Sequence, residues 1–366
     1  MADNLTPEEK VEVIKSFAEE IISEEELIEL FKNKKEIIAY DGFEPSGQIH
    51  IAQGLLRALT VNKLNSLGIK FKFYVADWFA MLNNKLGGDL EKIRIVGDYF
   101  VEVWKACGMK GIETGDVEFI YASDFINNTP GYWETVLKLS MNASVSRVLR
   151  CCQIMGREES TSNPSSQILY PLMQASDIHH LNADIAQLGL DQRKVNMLAR
   201  DIFTKINLKP PIAIHNHMLL GLQHKETEGM ENIDKKIELK MSKSKPETAI
   251  FMTDTKEDVE RKFKKAYCPE AQENENPVLE YAKYLVFEKY DKITIERPEK
   301  FGGNLELKSY NELRDLYVKG EIHPLDLKNS ITKYINEMLE PVREHFEKDK
   351  KAKDLLEKVR EFNVSR

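Results

Sequence analysis

Residues 36–77 read EIIAYDGFEPSGQIHIAQGLLRALTVNKLNSLGIKFKFYVAD, and the order of patterns in them decides the fold. EIIAY (36–40) is a short β-branched run that stops at Asp41-Gly42, which predicts a strand ended by a turn. After FEPSGQ, apolar positions recur at helical spacing from about residue 50 to 68, and FKFYVAD (71–77) reads as a second strand. Strand, helix and strand make a βαβ unit, which needs a parallel sheet covered by helices. The predicted class is therefore α/β with a Rossmann-like parallel sheet. Such sheets bind ligands beyond the carboxyl ends of their strands, so Asp41 to Gly54 is the first segment to search for a site.

Working outward, residues 6–33 read as helix, with Thr6 or Ser23 as caps, so residues 1–35 are expected to form an N-terminal helical extension. A helix around 89–107 and a strand VEFIYAS (117–123) continue the α/β alternation. Residues 125–185 are rich in helix formers and polar residues and read as an insertion between two halves of one sheet. DIAQLGL (184–190) resumes as a strand, and the helical pattern that follows puts Asp191 on a strand-to-helix turn. Between 223 and 250 the chain is polar and charge-dense and is closed by Pro246, which predicts a mobile loop. Beyond about 255 it reads as all-helical. The expected organisation is a catalytic domain over 36–250 and a helical domain over 251–366.

Composition limits the alternatives. With 366 residues, 42% hydrophobic and 31% charged, this is an ordinary globular chain long enough for two domains, not a disordered or repetitive one. Lys and Arg number 52 against 60 Asp and Glu, a net charge of -8, so any polyanion partner must be held by local patches. The four cysteines show no C-x-x-C pair and read as reduced packing residues. The charged N-terminus lacks an apolar leader core and no apolar run approaches a membrane span, so a cytoplasmic protein is expected.

Three groups of residues carry chemistry. The turn DGFEPSG exposes backbone amides before a helix, a setting that favours phosphate but also fits a plain turn. No phosphate-binding G-x-x-x-x-G-K-[ST] or dinucleotide G-x-G-x-x-G occurs, which argues against those enzyme classes. His50 and Gln53, three apart, can face one ligand. Lys240-Met241-Ser242-Lys243-Ser244 sets two lysines on a flexible loop, able to close over a polyphosphate. In YPLMQASD, Tyr170, Gln174 and Asp177 fall at i, i+4 and i+7, and such a polar face requires polar partners if it is buried. His179 and His180 lack the further ligands of a zinc site, so no resident metal is expected.

HIAQG (50–54) and KMSKS (240–244), in that order on an α/β sheet, resemble the two signatures of class I aminoacyl-tRNA synthetases. AYDGFEPSGQIHIAQG, YPLMQASDIHHL and GLDQRKVNMLAR are similar to tyrosyl-tRNA synthetases of the archaeal and eukaryotic cytoplasmic branch, and the likeness runs from about residue 36 to the end. The resemblance implies an enzyme that uses ATP, with Mg2+ carried along, to activate L-tyrosine and pass it to tRNA(Tyr). It implies that Tyr40 and Asp177 meet the substrate phenol, while Tyr170, Gln174 and Gln192 hold its ammonium end. ATP is expected over Gly42, Phe43 and Glu44, with His50 and Gln53 near the phosphates, Gly54 beside adenine and Asp191 near the ribose. Met241, Ser242 and Lys243 join the ATP site, and His50, Gln53, Lys240 and Lys243 are the expected catalytic residues. Phe301, His323 and Asp326 match anticodon-reading positions, Arg261, Lys262, Lys264 and Lys265 offer a local basic cluster, and the 125–185 insertion is where such enzymes form homodimers.

The broad family signature has Gly and His where this chain has Ala52 and Gln53, which puts the division of work between Gln53 and the loop lysines in question. The chain's end at Arg366 predicts no appended module. A tryptophanyl-tRNA synthetase and a non-catalytic RNA-binding relative are the competing readings. Against the first, an indole has no hydroxyl for Tyr40 and Asp177 to read.

Overall fold

The structure is a computed structural model that describes residues 5–152, 164–223, 232–241, 243 and 245–364. Its centre is a six-stranded sheet of β1 (Ala18–Ile22), β2 (Ile37–Phe43), β3 (Ile69–Val75), β4 (Val117–Tyr121), β5 (Ile185–Gly189) and β6 (Ile212–Asn216). The spatial order is β1-β6-β5-β2-β3-β4, parallel throughout except that β1 runs antiparallel to β6 along one edge. The expected α/β class is observed. Chain order proceeds from β2 through β3 to β4 on one side and resumes at β5 on the other side of β2. Connections therefore leave β2 and β5 in opposite directions, opening a crevice between their carboxyl ends.

Two local expectations are corrected. Residues 6–33 are not one helix: a capped helix Pro7–Lys15 is followed by β1, and a second helix spans Glu24–Asn33. The segment AEEII follows its tertiary partners: Arg193 Nε and His215 Nδ1 meet Glu20 Oε2 at 2.8 and 2.7 Å. The N-terminal extension thus completes the sheet. Likewise the helix expected from 50 begins at Leu55. Residues 49–52 are pinned instead to the start of the second unit, with Ile51 N to Ile250 O at 2.8 Å and Met252 N to Ile49 O at 3.0 Å.

Aromatic packing fixes the same region from beneath. The buried Trp104 ring lies 4.5 Å from Phe73, 5.2 Å from Phe43 and 5.8 Å from Phe119, and its Nε1 donates to the Gln53 carbonyl at 2.9 Å. The insertion between β4 and β5 contributes helices Ala122–Asn127, Tyr132–Met141, Val145–Cys151 and Ser166–His180. Pro171 lies inside the last of these and has no N–H to give the Gln167 carbonyl. The Cys152 thiol donates to that carbonyl at 3.1 Å, so the bond Pro171 cannot make is supplied from the preceding helix.

The C-terminal unit is mainly helical, ending in Pro324–Lys348 and Lys350–Val364. It is not all-helical, because β7 (Ile293–Ile295) pairs antiparallel with β8 (Leu305–Leu307). A π-helical stretch, Ala282–Val286, carries Tyr284 to the wall of the crevice.

Candidate active site

A cavity of about 850 Å³ occupies the crevice at the carboxyl ends of β2, β3 and β5. Tyr40, Gly42, Phe43, Glu44, His50, Gln53, Tyr170, Gln174, Asp177, Asp191, Gln192, Lys240, Met241 and Lys243 all line it, so the structure brings nearly every predicted site residue to one place. Ser242 lies outside the described residues. Gly54 is closely packed: an added Cβ there would stand 2.6 Å from both Cγ and Sδ of Met252.

At one end of the cavity, Asp177 and Tyr40 are each only 1% exposed. Burial drives the Asp177 carboxyl well above its usual proton affinity, while hydrogen bonds from Tyr132 and Tyr74 oppose that drift. Those phenols donate to Asp177 Oδ1 at 2.7 and 2.8 Å. The Tyr40 hydroxyl is buried with no hydrogen-bond geometry to a partner among the described residues, although the Gln174 amide is near enough to influence it. Burial, then the charges of Asp177 and Asp41, keep Tyr40 protonated as a donor.

Beside this pair, Glu44 also lines the cavity, and its carboxylate accepts from the Tyr170 hydroxyl at 2.6 Å and from Asn83 Nδ2 at 3.1 and 3.2 Å. Gln174 Nε2 donates to Gln192 Oε1 at 3.1 Å, so these residues form one oxygen-rich wall suited to an ammonium group. Phe43 is mostly core, packed on Trp104, and the Arg57 guanidinium stands 5.6 Å from its ring.

The other end is cationic. Lys240 Nζ meets Asp191 Oδ2 at 2.6 Å, and Lys243 Nζ lies 3.3 Å from Ser46 Oγ. Met241 is buried and its N–H donates to the Leu219 carbonyl at 3.0 Å, which anchors the start of the lysine loop in the core. His50 is also buried, and desolvation, followed by Lys243 and Lys240, pushes its imidazole well below the usual range. It is a neutral hydrogen-bonding group here, so the lysines supply the positive charge. Gly189 has a steric reason: a Cβ there would meet Asp191 Oδ1 at 2.6 Å.

Sequence reasoning missed Arg57, Asn83, Tyr74 and Tyr132. Arg57 pairs with Asp41 in the interior and reaches Gln187 Oε1 at 3.1 Å, while Gln187 Nε2 reaches Asn216 Oδ1 at 2.8 Å. Burial raises Asp41 to about 7 despite Arg57. Only Arg57 carried a usable signal, as a cation on the otherwise apolar side of the helix after HIAQG.

In the C-terminal unit, Phe301 is 61% exposed and His323 caps the helix from Pro324, its Nδ1 accepting from Leu325 N at 3.1 Å. Asp326 lies in that helix's first turn. Arg297 joins the two segments, donating to the Gly303 and Glu321 carbonyls at 2.9 Å each. The predicted basic cluster is smaller than expected. Lys262 is buried against Asp254 at 2.6 Å, whereas Arg261, paired with Glu247 and Asp258, is exposed together with Lys264 and Lys265.

A split parallel sheet, an HIAQG turn and a KMSKS loop meeting at one cavity define a class I tRNA synthetase, and the chain belongs to that family: the model of tRNA synthetases class I (W and Y) matches residues 32–340. The chain is 47% identical over 361 residues to tyrosine–tRNA ligase 1, cytoplasmic, of Arabidopsis thaliana, covering 98% of this chain and 90% of that one. The tyrosyl-tRNA synthetase of Leishmania major in complex with tyrosinol superposes with a TM-score of 0.87 at 41% identity, over 98% of this chain and 61% of that longer chain. The Pyrococcus horikoshii tyrosyl-tRNA synthetase complexed with L-tyrosine gives 0.86 at 35% identity, over 95% of this chain and 99% of that chain. Within the family the chain stands with the tyrosine–tRNA ligases. No helix among the described residues is long and apolar enough to cross a membrane.

Proposed function

We propose that the protein joins L-tyrosine to ATP, forming tyrosyl-adenylate and pyrophosphate, and then transfers tyrosine to the 3'-terminal ribose of tRNA(Tyr). The observation that carries this is the buried facing of Tyr40 and Asp177, a phenol donor and a carboxylate acceptor closing an otherwise aromatic pocket. A ligand with a para-hydroxyl satisfies both groups, whereas phenylalanine or tryptophan strands a buried carboxylate.

Tyr170, Gln174, Gln192 and Glu44 would hold the ammonium group, which leaves the substrate carboxylate directed toward the lysine end. That carboxylate is ionised at neutral pH and needs no general base. Its oxygen attacks the α-phosphorus of ATP, the bond to the bridging oxygen breaks, and pyrophosphate departs with its magnesium ion. Lys240 and Lys243 offset the departing charge, and neutral His50 and Gln53 act by hydrogen bonds. For Lys240 this requires leaving Asp191, which becomes available to a ribose hydroxyl. In the second step the tRNA ribose hydroxyl attacks the acyl carbon and AMP leaves, its phosphate being the nearest proton acceptor.

Phe301 and His323 would sandwich an unstacked anticodon base whose edge Asp326 reads. An apolar stripe on the insertion supports a homodimer, and the cytoplasm is the compartment that suits this chain. The test is ATP–pyrophosphate exchange with each of the twenty amino acids. Tyrosine alone should support rapid exchange, while exchange with tryptophan or with none would refute the reading.

A further inference from the structure

The two oxygens of Asp177 are treated unequally. Tyr132, from helix Tyr132–Met141, and Tyr74, at the end of β3, both donate to Oδ1, at 2.7 and 2.8 Å. Among the described residues no hydrogen bond reaches Oδ2, and the side chain is almost wholly buried. Among the described residues no cation faces it either. The titratable groups turned toward it are Tyr40 from β2, Tyr74 from β3, Tyr132 from the insertion and Tyr170 on its own helix, with Glu44 bonded to Tyr170 and Asp77 facing Tyr74. A buried carboxylate without a cationic partner reverts to the neutral acid unless hydrogen-bond donors stabilise the ion.

Tyr132 has one hydroxyl proton and two acceptors in reach, Asp177 Oδ1 at 2.7 Å and the Met173 carbonyl at 3.0 Å. An ionised oxygen outcompetes a neutral carbonyl for that proton. If Asp177 were neutral the advantage would vanish, so the direction in which Tyr132 donates is coupled to the charge on Asp177.

We propose that Tyr132 and Tyr74 are the positioning residues of the phenol-reading site: by donating together to Oδ1 they hold Asp177 as an anion and leave Oδ2 as the acceptor offered to the ligand hydroxyl. This rests on the tyrosine reading above. It assigns rejection of phenylalanine to the charge of Asp177, because a phenyl ring strands a charged acceptor far more unfavourably than a neutral acid.

The experiment measures ATP–pyrophosphate exchange with tyrosine and phenylalanine, over roughly pH 5 to 9, for the full chain and for Tyr132→Phe, Tyr74→Phe and the double variant. Removing donors raises the proton affinity of Asp177, so recognition is lost at a higher pH on acidification. The double variant should show KM for tyrosine raised at least about tenfold with KM for ATP unchanged, the acid limb of kcat/KM displaced upward by about one pH unit, and the tyrosine-to-phenylalanine ratio reduced at least about tenfold. Superimposed pH profiles, or a fall in kcat with KM unmoved, would overturn the proposal and leave a structural role. Wild-type protein that fails to use tyrosine would instead sink the functional reading. Should the double variant not fold, infrared spectra of wild type and Tyr132→Phe at neutral pH decide: a protonated-carboxyl band that appears in Tyr132→Phe, and is missing from Tyr132→Phe/Asp177→Asn, supports the assignment, and identical spectra overturn it.

Discussion

Gly54 carries a packing demand of its own. The HIAQG run suggests room for a nucleotide, and Met252 also needs room there, 2.6 Å from where a Cβ would stand. Gly54→Ala should lower stability by about 1–3 kcal/mol through overpacking, read from urea or thermal unfolding, and should cost much less when made in a Met252→Ala background. An unchanged melting curve would contradict this packing. Other residues were legible for sound reasons. Tyr170, Gln174 and Asp177 share a helix face, so their spacing alone placed them together. Tyr74 and Tyr132 belong to different elements, and only the pairing of β3 beside β2 and the docking of the insertion bring them to Asp177. His50 was legible as a site residue, but its neutrality depends on burial and on lysines nearly 200 positions away, which no local pattern encodes.

Among the elements, periodicity served the strands and helices that bury one face and failed where partners come from afar. AEEII shows neither clean alternation nor a helical stripe, and becomes β1 because Glu20 finds Arg193 and His215. The insertion shows the converse case of an apolar stripe that no described residue covers. On helix Tyr132–Met141, Trp133, Leu137 and Met141 recur at i, i+4 and i+8, exposed by 47%, 64% and 84%. Val145 and Leu169 are also exposed nearby in the same insertion. Exposed apolar residues recurring on one helix face are what the proposed homodimer would cover. Analytical ultracentrifugation should give twice the chain mass for the wild type and the monomer mass for Leu137→Glu/Met141→Glu, and a monomeric wild type would contradict the homodimer.

At the scale of the whole molecule, one side chain ties three segments together. His217, just after β6, pairs through Nδ1 with Glu19 of β1 and through Nε2 with Glu280 at 3.2 Å, and its ring stacks on Tyr284 at 4.1 Å. Burial alone would depress its pKa, but the two carboxylates overcome this and carry it up to about 9. Because the folded value lies above the unfolded one of about 6.5, the stabilisation is complete below the unfolded value and is lost as pH rises through about 9. Its upper bound is about 3 kcal/mol. Wild-type melting temperature should therefore fall across that window, and His217→Gln should flatten the fall while lowering stability at neutral pH. Parallel pH profiles for the two proteins would show that the bridge contributes nothing. The same histidine, with Tyr284, lines the cavity, so the C-terminal unit forms part of the site's wall.

Selection of tyrosine depends on one recognition event, and a crystal structure of the protein with L-tyrosine bound tests it most directly. The ligand's phenolic oxygen should lie within hydrogen-bond distance of both Tyr40 Oη and Asp177 Oδ2, with Tyr74 and Tyr132 still on Oδ1 and the ammonium group against Tyr170 and Gln174. Tyrosine found elsewhere in the cavity, or with its ring reversed so that the ammonium meets Asp177, would contradict the account.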